Sequence, residues 1–450
     1  MSASDYSNSS YTKNPDIYHR GDFIKNYVLI DKLGSGSFAS VWLTYDYIND
    51  LFFAIKIQND EDYDCAIDEI KFLKKVSRSN SKYINHLKSF FIHKKIVDDQ
   101  EYKNVCMIFD LMAGSLHDLI TNSKYSKGFP LLTVKKIIYQ LLIALKSLND
   151  HNIVHTDLKT DNILLVGHTF KINDLILKFK NLMKNNKFKF NKKNIKKNIT
   201  QTKKIFSNII NDLHFSCSDS SDSSIDSDCS DSSNSSYYST HSYNKFDDLS
   251  SIDSSNSSNS LNSHISDYSD SIDPSFIHHD SIHIKLSDFG SCLDVNNLNF
   301  DIQTRYYRAP EIILHSHVDS NSDLWSIGCI IYELLTGKLL FDPIKNTKFS
   351  DDILHLYDII SIFGFPPNDL LVNSSKFDLF FRSNSLLKIN KTINFSSLSL
   401  LLKNNLHNDL NDHDFYLTLD FMYDFFNYDS SKRPSIESCL NHPWFDDLNI

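Results

Sequence analysis

Short runs rich in apolar, aromatic and β-branched residues, separated by turn residues, open the first globular stretch of the chain and predict strands. "YVLIDKLG" (27–34), "SVWLTYDY" (40–47) and "FFAIKIQ" (52–58) are such segments, the first two joined across a Gly-Ser-Gly turn. The pattern then changes. In "DCAIDEIKFLKKV" (64–76), Ala66, Ile67, Ile70, Leu73, Lys74 and Val76 recur at helical spacing. "NVCMIFDLM" (104–112) is an apolar run of strand length, and "TVKKIIYQLLIALKSLNDH" (133–151) is a long amphipathic helix. A short strand, "HIKLSDFG" (283–290), follows much later, and the chain from "SDLWSIGCIIYELLTG" (322–337) to "IESCLNHPWF" (436–445) is mainly helical. A small β-rich unit therefore precedes a larger helical one, an α+β organisation.

Between these parts the pattern is lost, and composition replaces it as the guide. Residues 168–215 hold twelve Lys and two Asp, and residues 216–281 hold twelve Asp, one Lys and 27 Ser. The acidic half carries too little apolar surface to offset its ordering entropy and is expected to be disordered. In the basic half "INDLILKFKNLM" has the spacing of an amphipathic helix, but a solvated charged linker is the reading that composition favours. The expected organisation is a disordered tail (1–20), a first globular piece (21–167), a low-complexity spacer (168–281) and a second globular piece (282–446).

The 450 residues carry a net charge of −10, which suits basic partners as well as plain solubility. The first 20 residues have no apolar signal core, and no run of 18 apolar residues occurs, so a soluble intracellular protein is expected. "KKNIKK" (192–197) reads either as a nuclear-import patch or as a solvated lysine run. The seven Cys are scattered without a C-x-x-C pair, which fits reduced thiols better than disulfides or a zinc site. Heavy Asn, Lys and Ile usage fits an AT-rich genome, as in protists and large DNA viruses.

Candidate chemistry sits at the segment boundaries. "LGSGSFASV" (33–41) puts Gly34 and Gly36 between two strands, where backbone N–H groups can approach phosphate oxygens, although a plain hairpin turn has the same composition. Lys56 ends a strand and Glu69 lies on the following helix; alone each is a surface charge, and together they can hold an ammonium for a phosphate. "HTDLKTDN" (155–162) sets Asp157, Lys159 and Asn162 at fixed spacing, and "SDFG" adds Asp288. In phosphoryl transfer an Asp accepts the hydroxyl proton while an Asn and a second Asp bind a divalent metal. Six fixed positions of this kind recur by chance on the order of once in 10⁵ chains of this length.

With "FAIK", "SDFG" and "RAPE" in the right order, the chain resembles the eukaryotic protein kinases over residues 27–166 and 282–445. The resemblance implies the bilobal kinase fold with ATP and Mg²⁺ in the cleft. It implies an ATP site of Leu33, Gly34, Ser35, Gly36, Ser37, Phe38, Ala39, Ser40 and Val41, with Ala54, Lys56 and Glu69. Phe109 would be the gatekeeper and Asp110, Leu111 and Met112 the hinge. Asp157 and Lys159 would be catalytic, Asn162 and Asp288 metal ligands; Glu311 would pair with Arg433, and Asp323 would brace the catalytic loop.

"AIDEIKFLKKV", "HTDLKTDNILL", "DIQTRYYR" and "ESCLNHPWF" are most similar to the SR-protein kinase family of the CMGC group, which phosphorylates serines in Arg-Ser repeats and also carries a long spacer. That implies basic, Arg/Ser-rich protein substrates, a monomer, and neither nucleic acid nor membrane as direct partner. Thr156 replaces the arginine that neutralises an activation-loop phosphate in many kinases, and Asp301 replaces a phosphorylatable tyrosine, so constitutive activity is expected. Asp351, Asp352 and Asp358 fall on the helix that lines the family's docking groove, where Leu354 and Ser361 depart from its acidic pattern. The competing readings are a Clk-like, dual-specificity kinase and a pseudokinase that binds basic proteins through its acidic insert.

Overall fold

The protein is described by a computed structural model, which covers residues 17–36, 38–122, 125–185, 199–218, 282–343, 348–389 and 391–448. Six antiparallel strands make the N-terminal lobe: β1 (Phe23–Ile24), β2 (Tyr27–Ser35), β3 (Ala39–Asp46), β4 (Leu51–Gln58), β5 (Ser89–Val97) and β6 (Gln100–Phe109), in the order β1-β2-β3-β4-β6-β5. Helix α1 (Tyr63–Val76) connects β4 to the β5–β6 hairpin. Both faces of the sheet are covered. Leu43, Tyr45, Ala54 and Met107 face the main core, and Trp42, Ile55, Ile57, Cys106 and Ile108 face a second cluster. That double burial is why β4 and β6 read as nearly continuous apolar runs.

The second cluster is closed by a segment expected to be disordered. Tyr18 is buried, donates to Asn104 Oδ1 at 3.0 Å and lies 2.9 Å from His93 Nδ1, while Asp22 pairs with Lys95 at 2.7 Å. The expected tail therefore loses residues 17–20 to the folded lobe, because one buried aromatic with a partner for its hydroxyl outweighs a polar neighbourhood. Residues 1–16 lie outside the described ones.

Strand β7 (Met112–Ser115) leads into α2 (Leu116–Asn122) and α3 (Leu131–Asn149), then β8 (Ile153–Val154) and β9 (Ile163–Val166). After the insert come β10 (Ile284–Leu286) and β11 (Leu293–Asp294). Strand β10 pairs antiparallel with β9, Ile284 opposite Leu165, and β11 pairs with β8, Leu293 opposite Val154. The rest is helical: α6 (Pro310–Leu314), α7 (Ser322–Thr336), α8 (Asp351–Phe363), α9 (Asn368–Val372), α10 (Phe377–Phe380), α11 (Leu398–Asn405), α12 (Asp412–Tyr423) and α13 (Ile436–Leu440). Every residue of α7 is buried, so it is the axis around which this lobe packs.

The basic half of the spacer departs most from expectation. Instead of a solvated linker it forms α4 (Phe170–Asn185) and α5 (Ile199–Ser218), packed on each other and on the N-terminal sheet. Thr169 caps α4 by accepting the N–H of Ile172 at 3.1 Å, and Ile172, Leu175 and Phe179 make its buried stripe. From α5, Phe206, Ile209, Ile210 and Leu213 are buried. The Phe179 and Phe206 rings stack 6.1 Å apart, and Tyr45 lies 5.1 Å from Phe179 and 5.8 Å from Phe206. Apolar spacing decides the outcome over net charge, since the lysines need only the opposite face. The "KKNIKK" patch and the acidic half from residue 219 lie outside the described residues. Phe206→Ala should lower stability to urea by about 3 kcal/mol, whereas truncating a solvated linker would leave the unfolding midpoint unchanged.

Candidate active site

Strand period places the first group. Ala54 and Lys56 share the face of β4 turned to α1, opposite Phe109 and Met107 of β6. On α1 the buried face runs through Ala66, Glu69, Ile70, Leu73 and Val76, so Glu69 is carried inward by the same spacing that buries the aliphatic residues. Lys56 Nζ donates to both Glu69 oxygens at 2.9 Å and to Asp288 Oδ1 at 2.9 Å. Burial works against the ammonium, but the two carboxylates outweigh it and raise Lys56 above the usual lysine range. Asp288 feels the converse. Burial raises its carboxyl, and Lys56 more than compensates, holding it below the ordinary value.

The segment from β8 to β9 carries the second group. Asp323, at the start of α7, accepts the backbone N–H groups of His155 at 2.8 Å and Thr156 at 3.0 Å. His155 is buried, lies 3.1 Å from the Ser287 carbonyl through Nε2, and meets the Phe289 ring edge-on. Asp157 is surrounded by donors: Lys159 Nζ at 2.8 Å and Asn162 Nδ2 at 3.1 Å on Oδ2, and Thr304 Oγ1 at 2.5 Å on Oδ1. Burial raises the Asp157 carboxyl, but the bonds from Lys159 and Thr304 prevail and leave it below the usual carboxylate range.

Asn162 and Asp288 are brought together through Ser287, whose N–H and hydroxyl both donate to the Asn162 carbonyl, at 2.9 and 3.0 Å. Asn162 spends its amide nitrogen on Asp157, which leaves its amide oxygen as one hard donor, and Asp288 supplies a carboxylate as another. Two such oxygens suit Mg²⁺, which takes few protein ligands and completes its shell with water and phosphate.

At the cleft roof Gly34 pairs with Val41 across the β2–β3 hairpin, and the Gly36 N–H closes the turn on the Ala39 carbonyl at 2.9 Å. A Cβ at Gly34 or Gly36 would meet nothing within 4 Å, so these glycines leave open space over the cleft. Leu33, Ser35, Phe38, Ser40 and Val41 surround that turn, and Ser37 lies outside the described residues. At the back Phe109 and Leu111 are buried, Met112 opens β7, and Asp110 pairs with Lys88 at 3.0 Å.

The structure also draws in residues to which the sequence assigned no part. Thr304, on Asp157, is one, and Gln303 is another. Its side chain donates to the Ser322 carbonyl at 2.9 Å and accepts the Ala309 N–H at 2.8 Å, while its carbonyl takes two bonds from Arg308. Tyr307 donates to Glu333 at 2.7 Å and Thr160 to the same carboxyl at 3.2 Å; burial still pushes Glu333 up to about 7. Only "DIQTRYYR" as a motif pointed to this stretch, since spacing cannot reveal contacts between segments so far apart. Glu311 and Arg433 form the expected buried pair, with two bonds of 2.7 Å.

The comparisons with known proteins agree with this geometry. The protein kinase domain family matches residues 27–181 and 274–445. A chain of Acanthamoeba polyphaga mimivirus, named as a serine/threonine-protein kinase, is 30% identical over 96% of this chain and 90% of its own. Protein kinase dsk1 of Schizosaccharomyces pombe is 28% identical, covering 98% of this chain and 86% of its own length. The serine/threonine-protein kinase SRPK of Physarum polycephalum is 28% identical over 94% and 86%. No helix among the described residues is long and apolar enough to cross a membrane. The chain belongs to the protein kinase family, and it is a serine/threonine kinase of the CMGC type.

Proposed function

We propose that the enzyme transfers the γ-phosphate of ATP to serine hydroxyls of basic, Arg/Ser-rich proteins, and that it needs no activating phosphorylation. The observation that carries the chemistry is the crowding of Lys159, Thr304 and Asn162 on the single carboxylate of Asp157. In this reading Asp157 orients the substrate hydroxyl and takes its proton as the phosphoryl group transfers. Lys159 steadies that carboxylate and the incoming charge. Lys56, held by Glu69, positions the nucleotide phosphates. Asn162 and Asp288 would hold Mg²⁺, whose charge offsets that of the phosphates. Leu33 to Val41, with Ala54, Phe109 and the stretch from Asp110 to Met112, would enclose the nucleotide.

The substrate class is supported by charge beside the activation segment. Asp351 and Asp352 of α8 each lie 3.4 Å from the guanidinium of Arg305, the residue after Thr304, so this surface already binds an arginine close to the catalytic carboxylate. Asp358 offers less, because burial pushes its carboxyl up to about 6. Independence from phosphorylation is supported by Gln303, whose bonds to α7 and Ala309 order the activation segment with neutral groups. Asp301 supplies a carboxylate near Arg308.

With labelled ATP and Mg²⁺, an Arg-Ser repeat peptide should be phosphorylated in preference to a Lys-rich or an acidic one. Asp157→Ala should lower kcat by about 10²- to 10⁴-fold. Equal labelling of both basic peptides would remove the substrate claim, and no labelling above Asp157→Ala would remove the chemistry. Activity should also report the Asp157 carboxyl. Its depressed value means the active, ionised form persists at mildly acidic pH and is lost only as pH falls below the ordinary carboxylate range. In Lys159→Met burial acts with less opposition, so the acid limb of kcat/KM should move up by about one pH unit. An unmoved limb would assign it to another group.

A further inference from the structure

We infer that the Thr156 hydroxyl is a positioning group: it locks the turn that carries Asp288 to the catalytic loop, in place of a phosphate-bound arginine. The inference rests on the proposed independence from phosphorylation and names the contact that supplies it.

The evidence lies in the register of the small β8–β11 sheet. Leu293 stands opposite Val154 and Asp294 opposite Ile153. Continuing that antiparallel register past Cys292 and His155 brings Ser291 opposite Thr156. A backbone bond cannot form there in the usual way. Thr156 turns into the left-handed region at φ 64°, and its N–H is already donated to Asp323. The side chain acts instead: the Thr156 hydroxyl donates to the Ser291 carbonyl at 2.5 Å. The ladder thus gains one more rung, made by a hydroxyl.

Three segments meet at this residue. Its N–H reaches α7, its hydroxyl reaches the turn after Asp288, and its carbonyl accepts the Gln303 N–H of the activation segment at 2.8 Å. Only 1% of its surface is exposed, so solvent does not compete for these bonds. A β-branched residue is an unfavourable choice at positive φ. Serine would carry the same hydroxyl with less strain, and valine would keep the shape and lose the bond. The turn has a further tie in Lys75, which pairs with Asp294 at 3.2 Å and links it to α1. Ser291 lies three residues beyond Asp288, the carboxylate on Lys56, so slack at Ser291 reaches the proposed metal ligand through one short turn. An arginine here would need an anion to neutralise it, whereas the hydroxyl satisfies a neutral carbonyl.

The test compares the full chain with Thr156→Val and Thr156→Ser, each before and after phosphatase treatment, reading kcat, the KM for ATP and the thermal midpoint. Valine should lower kcat about tenfold while changing the KM by less than about twofold, and serine should keep kcat within about twofold of the parent. A valine variant as active as the parent overturns the inference. So does a serine variant that loses as much as valine, because shape or folding then accounts for the loss. Loss of parent activity on phosphatase treatment would instead overturn the phosphorylation-independent reading, while the valine–serine contrast in untreated enzyme still tests the hydroxyl.

Discussion

One buried carboxylate organises the catalytic half of the molecule. Asp323 lies at the start of a helix with no exposed residue, and burial pushes its carboxyl above the ordinary value, so it needs the two N–H groups it receives from His155 and Thr156. Those bonds fix the loop that presents Asp157. The same helix anchors the rest of the site. Ser322 donates to Glu311, which Arg433 holds from the other side, and its carbonyl accepts from Gln303. Ser326 donates to the Tyr307 carbonyl, and Glu333 takes the Tyr307 and Thr160 hydroxyls. The activation segment and the catalytic loop are thus referenced to one rigid rod, and their mutual geometry follows from it.

Much of the site was legible in sequence because its groups sit at fixed local spacing. Asp157, Lys159 and Asn162 lie within six consecutive residues, and Lys56 and Glu69, each a surface charge when read alone, gained their pairing from the order of the motifs around them. Thr304 and Gln303 were not legible in that way. Their partners lie on other elements, and nothing in the local pattern of "DIQTRYYR" says which carboxylate or helix they will meet. The fold followed the same division. The apolar runs at 27–34, 40–47, 52–58 and 104–112 formed strands β2, β3, β4 and β6, and the helical spacing of α1 and α3 formed helices, where the sequence predicts them.

Composition misled where periodicity was sound. Twelve lysines in residues 168–215 suggested a solvated segment, yet Ile172, Leu175 and Phe179 recur at helical spacing behind a threonine cap. Charge describes only the face that stays in water; on the other face Phe179 meets Tyr45 and Phe52 of the central strands β3 and β4. Tyr18 is a similar case at the N-terminal side. In both, aromatic burial against an existing surface ordered a stretch that would not fold alone.

The place where the chain leaves and rejoins the helical lobe explains how so long an interruption is tolerated. Strand β9 ends at Val166 and β10 starts at Ile284, and the Val166 N–H bonds to the His283 carbonyl at 2.9 Å. In topological terms the whole insert is the loop of one β-hairpin. Its two ends are already held together by the ladder, so the lobe meets the same boundary condition whether the loop has five residues or more than a hundred. Doubling such a loop adds only about 0.6 kcal/mol of closure entropy. Outside α4 and α5, whose apolar faces are part of the core, added length at this junction costs little per residue, and it leaves in place the β9–β10 ladder that holds Asn162 and Asp288 together.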